Sequence, residues 1–337
     1  MIQIQTREQL PENIILAVSQ ENVFYSNNFE QYNVKLGSKT LFAYNDDYVA
    51  VVIVHSIHKL FTAASFPSEP ILLSEADRFD RQQSFLDEVA AQLKKNYGVD
   101  WITVTPASSL FEAYPTHSER IGFGNYVIDL TQDEESLFAN ATSKHRNMIR
   151  RGERGEIVVK YGGAELVPDY ITVDKQTWKR SGKDIDHTAY YTEYVNTLKD
   201  NAVVGVAYKN GVPQCGLIGC YNQRMFYYMF GASADRPEPG STHLLQWQTI
   251  LRMKAAGVQM YNFVGCRLNV DPGSKYENIQ HFKKGFGGVL QECYLFRMTL
   301  NRTKKRLFDW MMKRKTGKVP CDVIDQEMHK WVEINRQ

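Results

Sequence analysis

The dipeptide Asn210-Gly211 constrains this chain more than any other short stretch. Asn-Gly supplies both positive-φ positions of a two-residue β-turn, so the apolar runs on either side, 203–209 and 213–221, must pair as antiparallel neighbours. An aromatic run, 225–231 (MFYYMFG), gives a third strand. The spacing of Leu245, Ile250, Met253 and Ala256 then predicts a helix over 242–256, followed by a strand at 258–264. A helix at 276–284, a strand at 290–298 and a final helix at 304–314 complete this half, which helices at 168–180 and 189–200 precede. The fold class is mixed α/β (α+β): central sheets of mixed strand direction flanked by helices.

The first half reads as a looser version of the same order. Strands are expected at 40–44 and 48–57 around an Asn-Asp-Asp turn. Phe85, Leu86, Val89, Ala90 and Leu93 mark a helix over 80–96. A strand at 101–105, a short helix at 108–114 and a strand at 125–130 follow. The stretch 133–151 is read as one helix, acidic at its start and basic at its end as the helix dipole favours. It breaks near 152–155 and leads to a strand at 156–160. With 337 residues the chain has room for two domains, and the division expected is 1–140 and 141–299. No Pro/Ser-rich linker separates them, so a broad shared interface with a cleft is expected.

Composition excludes several classes. Residues are 43% hydrophobic and 23% charged, and the net charge is +2, which rules out wholesale disorder and a histone-like binder. The first seven residues lack a secretory signal pattern, and 48–57, the most apolar run, is too short to cross a bilayer. A cytoplasmic protein is expected. The five cysteines are odd in number and form no C-x-x-C pair, which argues against a disulfide scaffold and the common zinc spacings. No metal site and no redox cofactor is expected.

Four segments can carry chemistry. In 278–290 (NIQHFKKGFGGVL) Lys283 and Lys284 precede three glycines within four residues. Such glycines let backbone approach a ligand, and a lysine held against them can stabilise an oxyanion in acyl transfer. The alternative is a helix C-cap with Gly285 left-handed. The second segment enters the helix at 242–256 through Arg236-Pro-Glu-Pro-Gly240-Ser241. Its helix N-terminus can seat a phosphate, or it can be a proline-bearing helix entry with a Ser/Thr N-cap. Third, Tyr190, Tyr191 and Tyr194 either line a groove or anchor their helix. Fourth, 301–318 holds eight Lys/Arg, one Asp and the apolar residues Leu307, Phe308, Trp310 and Met311. It suits a phosphate backbone, an anionic membrane surface, or docking on the body as a solvated helix. His55 and His58 have no carboxylate near them in sequence and read as structural.

Together these segments resemble the FemABX family, the non-ribosomal aminoacyltransferases of peptidoglycan bridge formation, and the wider GNAT superfamily whose acyltransferase domains share this element order. The residues that carry the resemblance are Phe282-Lys283-Lys284-Gly285-Phe286-Gly287-Gly288, the strand Tyr227–Ser233, the helix and strand over 245–265, and the basic stretch 143–151. In the first 125 residues only 31–35 (QYNVK) adds to it. The resemblance implies tandem GNAT-like lobes, with the C-terminal part (300–337) packing back on the first. It further implies transfer of an aminoacyl group from aminoacyl-tRNA to an amine without a metal or bound cofactor. Lys283, with Phe282 beside it, would be catalytic. Lys35, Asp186, Tyr190, Tyr191, Tyr228 and Phe230 would contact substrate, and Arg236, Gly240, Ser241, Lys284 and Gly285 would contact the donor. The basic stretches 144–154 and 302–318 would hold the tRNA.

Two positions depart from the family. Asp186 stands where bridge-forming members carry an arginine facing the acceptor's diphosphate, and Tyr261-Asn262 stands where they carry Tyr-Asp. The acceptor is therefore expected to be an amine on another cell-wall or surface-polymer precursor, a natural product or a protein. Two further readings stay open: an acyl-CoA-dependent N-acyltransferase, and a non-catalytic module that binds RNA or a membrane.

Overall fold

The computed structural model describes residues 2–74 and 79–334. In chain order its strands are β1 (Gln3–Gln5), β2 (Lys39–Tyr44), β3 (Tyr48–Ile57), β4 (Phe61–Ser65), β5 (Ile71–Leu72), β6 (Trp101–Ile102), β7 (Glu119–Asp129), β8 (Val158–Gly162), β9 (Ala202–Lys209), β10 (Val212–Tyr221), β11 (Met225–Ser233), β12 (Met260–Arg267) and β13 (Val289–Thr299). Two compact units result. One comprises Met1–Val18, Asn33–Gly124 and Glu292–Gln337, the other Ser19–Tyr32 and Asn125–Gln291. Relative to the expected division, 19–32 and 125–140 fall in the second unit and 292–299 in the first.

In the first unit the strand order is β1-β2-β3-β4-β6-β13, with β5 paired to β3. Helix Phe79–Tyr97 presents Phe85, Leu86, Val89, Ala90 and Leu93 to this sheet, and all five are buried. The hydrophobic spacing read in the sequence is the face the helix buries. The short helix expected at 108–114 does not form. There the amides of Leu110 and Ala113 donate to the side chains of Glu69 (2.8 Å) and Gln82 (2.9 Å). Those acceptors replace helix carbonyls, so the segment runs as irregular backbone after a turn at 107–108 while Phe111 stays buried. A last helix, Val323–Ile334, follows the expected end of structure, and Arg297 fixes its start through Asp322 (2.6 Å) and Asp325 (2.6 Å).

In the second unit the order is β12-β11-β10-β9-β8. The Asn210-Gly211 turn joins β9 to β10 with φ of 51° and 77°, as the sequence dictates. Helix Ser241–Ala255 buries Leu244, Leu245, Trp247, Ile250 and Met253 against the sheet. The stretch read as one helix over 133–151 is two, Glu134–Asn140 and Ser143–Arg154. Ala141 and Thr142 are extended between them, and the Thr142 side chain caps the second at the His145 amide. Segment 19–32 joins this unit through Phe24, whose ring lies 5.0 Å from that of Tyr227, and through Asn22, which donates to the Tyr227 hydroxyl at 3.0 Å.

Candidate active site

Two neighbouring parallel strands open the site. Met225, Phe226 and Tyr227 of β11 pair with Met260, Tyr261 and Asn262 of β12, and the pairing stops there. Each strand has a local cause for parting. On β11, Phe230 and Tyr227 oppose Ile218 and Cys220 of β10, so three steps face two and a bulge forms at 228–229. On β12, the Asn262 side chain accepts from the Val264 amide at 2.7 Å, and Val264 takes φ of 52°. A β-branched residue rarely adopts that conformation, which costs on the order of 1–3 kcal/mol. What it gains is direction, because the carbonyls of Val264 and Gly265 both accept from the Lys283 ammonium, at 2.8 and 2.6 Å.

Lys283 rides on helix Lys275–Gly285, whose N-cap Ser274 accepts from the Glu277 amide. The side chain is 6% exposed, and burial pulls its pKa from 10.5 down to about 8, a drop that Cys266 nearby partly opposes. At neutral pH the group remains mostly protonated. An ammonium has three N–H donors; two are on the β12 carbonyls, and among the described residues the third has no hydrogen-bond partner. Lys283 lines a cavity of about 560 Å³. Tyr228, Met229 and Gly231 of β11 form one wall, Phe263 and Val264 of β12 another, and Lys275, Asn278, Ile279 and Phe282 of the helix the third. The result is a mostly apolar chamber with one buried ammonium at its side.

The glycines after Lys283 follow the helix-end reading, with the left-handed residue two positions later than expected, rather than a backbone opened to a ligand. A Cβ on Gly285 would overlap the His145 ring, one on Gly287 would press on Asn140 backbone, and one on Gly288 would meet Tyr126. The backbone approaches its own chain there, and it is Gly287 (φ 85°) rather than Gly285 that is left-handed. His145 locks this end of the helix. Its Nε2 lies 3.1 Å from the Phe282 carbonyl, and its Nδ1 lies 2.9 Å from the Thr142 hydroxyl. The His243 ring packs against it at 4.8 Å, and burial, then His145 and Lys144, lower the His243 pKa to about 4. Neither histidine was singled out in the sequence. His145 reaches the end of this helix from 137 residues before Phe282, so no local pattern in the sequence marks the contact.

The other candidates sort clearly. Phe282 is half-buried, stacks among His145, His243 and Phe286, and lines the cavity. Tyr228 lines it as well, and its hydroxyl fills the space over Gly231 where a Cβ would collide. Phe230 is the hub of an aromatic wall with Tyr191 (5.0 Å), Tyr194 (5.7 Å) and Tyr190 (6.0 Å). Tyr191 is buried, and burial pushes its hydroxyl pKa up, while Tyr190 is exposed. Asp186 is exposed and bonded to Lys175 at 2.8 Å and to the Thr188 amide at 2.9 Å, interactions that hold its pKa well below the usual range. Lys35 belongs to the first unit and is exposed, as are Lys284 and Arg236 in the second. Gly240 (φ 95°) is buried with its Cα against the helix Ser143–Arg154, so that a Cβ would lie 2.5 Å from the Gly152 amide nitrogen. The Ser241 hydroxyl and amide both donate to the Glu238 carbonyl. The close approach that Gly240 permits is thus taken by the protein's own backbone.

Residues 139–283 match the family model of the acetyltransferase (GNAT) domain. The fold is shared with solved structures at low identity. FemX superposes with a TM-score of 0.67 at 13% identity, covering 89% of this chain and 98% of that one. L-PGS from Bacillus licheniformis gives 0.51 at 14%, covering 93% and 98%. A tandem GNAT protein from the clavulanic acid biosynthesis pathway gives 0.51 at 8%, covering 89% and 98%. No curated protein matches at the sequence level.

Proposed function

We propose that this chain, which carries a GNAT acyltransferase domain, forms an amide by moving an aminoacyl group from aminoacyl-tRNA onto an amine acceptor. The observation that carries the reading is the uncommitted N–H of the buried Lys283 ammonium at the wall of the cavity. The acceptor nitrogen attacks the carbonyl carbon of the donor ester, and the carbonyl oxygen becomes an oxyanion to which Lys283 donates. Collapse of the tetrahedral species breaks the bond to the ribose oxygen, which leaves with a proton as the nitrogen loses one. The cavity's apolar walls, Phe263 and Phe282 among them, give the apolar parts of donor and acceptor a surface to pack on beside Lys283.

Two observations support tRNA over acyl-CoA as donor. The turn before helix Ser241–Ala255 is packed against Gly152, which leaves little room for a pyrophosphate at Gly240. In the same unit, helix Ser143–Arg154 exposes Lys144, Arg150, Arg151 and Arg154, a cationic face suited to a phosphate backbone. Asp186 is taken up by Lys175 and offers no cation to a diphosphate there, so the acceptor we favour is a cell-wall or surface-polymer amine without that group nearby. A donor panel tests the proposal: charged tRNAs and acyl-CoAs are each offered with a mixed amine pool, and products are scored by mass. Transfer from charged tRNA that ribonuclease abolishes is expected. Transfer from acyl-CoA alone overturns the donor assignment, and folded protein that uses neither donor overturns the function.

A further inference from the structure

We propose that the outward face of helix Arg302–Thr316, together with the turn at 58–60, docks the first unit on an anionic lipid surface. The helix is 15 residues long yet has no buried residue. It is held to its unit by one side. Phe308 packs on Trp101 at 5.0 Å and on Phe61 at 5.5 Å, Met311 joins that cluster, and Lys304 pairs with Asp100 at 3.1 Å. Packing therefore accounts for Phe308 and Met311 and leaves a second apolar pair unexplained. Leu307 and Trp310, three residues apart and so on one helical side, are 47% and 52% exposed. The Arg314 guanidinium lies 4.2 Å over the Trp310 ring, and Arg306, Lys313 and Lys315 are exposed around them.

A second element reaches the same surface. His58 and Lys59 form the β3–β4 turn with φ of 52° and 58°, and Leu60 beside them is 60% exposed. His58 shares a cavity of about 360 Å³ with Trp310, Arg314 and Lys315. Apolar and cationic side chains thus alternate over two adjoining elements. The only acidic residue within 301–318, Asp309, is neutralised by Lys305 at 2.5 Å.

The charge identifies the partner as anionic, and the exposed apolar side chains choose among anions. A nucleic-acid backbone would engage the cations and gain nothing from Leu60 or Leu307. A bilayer interface takes both, with Trp at the headgroup level, Leu at the acyl boundary and Lys/Arg on lipid phosphates. Among the described residues no helix is long and apolar enough to span a membrane, so the contact is peripheral. It concerns the first unit and stands independently of the transfer reaction.

Co-sedimentation of the full chain with phosphatidylglycerol-containing and pure phosphatidylcholine vesicles tests this. Binding to the anionic vesicles, weak on the neutral ones, is expected. Lys313→Glu and Lys315→Glu should each weaken it at least about fivefold, the worth of one basic charge near such a surface. Leu307→Ser with Trp310→Ser should weaken it about tenfold or more, with cooperative thermal unfolding retained and only slightly shifted because neither side chain belongs to the core. Absence of vesicle binding, or wild-type binding by the Leu307→Ser/Trp310→Ser variant, overturns the proposal. So does loss of tRNA binding in the charge variants with vesicle binding intact, which would assign the helix to RNA.

Discussion

Replacing Lys283 with methionine should change how stability depends on pH, by an amount the structure sets. Below pH 8 the lysine is protonated in both the folded and the unfolded chain, and the folded state bears the cost of burying the charge. Between a folded pKa of about 8 and the ordinary 10.5, the unfolded chain still holds a proton that the folded protein has released. Stability therefore rises with pH across that window, at up to about 1.4 kcal/mol per pH unit. From about pH 7 to about pH 9.5 the wild type should gain roughly 2 kcal/mol relative to Lys283→Met. Urea unfolding of both proteins along a pH series measures this, and the ionisation of tyrosines common to both cancels in the difference. Both should carry Cys266→Ala, because that thiol holds the Lys283 pKa up and has its own raised by burial; its removal lets the Lys283 pKa fall further, so the expected gain is at least as large. The loss of hydrogen bonds to Val264 and Gly265 in the methionine variant displaces the whole curve without tilting it. Parallel pH dependences would refute the burial of a costly, unpaired ammonium.

The same shift predicts that transfer activity falls above about pH 8 as Lys283 loses its proton, and that Lys283→Arg removes this falling limb even if it lowers the rate; a pH–rate series decides. Gly285→Ala should destabilise the fold by about 2–3 kcal/mol in urea unfolding, because its methyl group enters the space of the His145 ring. His145→Ala in the same chain should recover part of that loss, and strict additivity would count against the contact. Gly231→Ala should displace the Tyr228 hydroxyl into the cavity and slow transfer about tenfold or more while unfolding shifts by about 1 kcal/mol, as read by parallel kinetics and denaturation.

Regular elements with a local signal were legible. Asn210-Gly211 fixed its hairpin because φ preference is a property of two residues, and the helix over 80–96 declared its buried face by spacing alone. The lysine of the candidate site was legible too, though only as a position in a motif. Its geometry was not. The bulge at 228–229 and the left-handed Val264 are imposed by pairing between strands and carry no signature in composition. The glycine run suggested room for a ligand, and the room is filled by His145, 140 residues from Gly285 in the chain. Likewise the irregular segment 108–114 reads as a helix until the Glu69 and Gln82 side chains supply acceptors from outside it.

Single-turnover transfer from charged tRNA by Lys283→Met, set against the wild type, bears most directly on the central claim. An ammonium that donates to the developing oxyanion predicts a loss of about 10²-fold or more in the chemical step, with donor binding and cooperative unfolding retained. A methionine variant that transfers at the wild-type rate would contradict it.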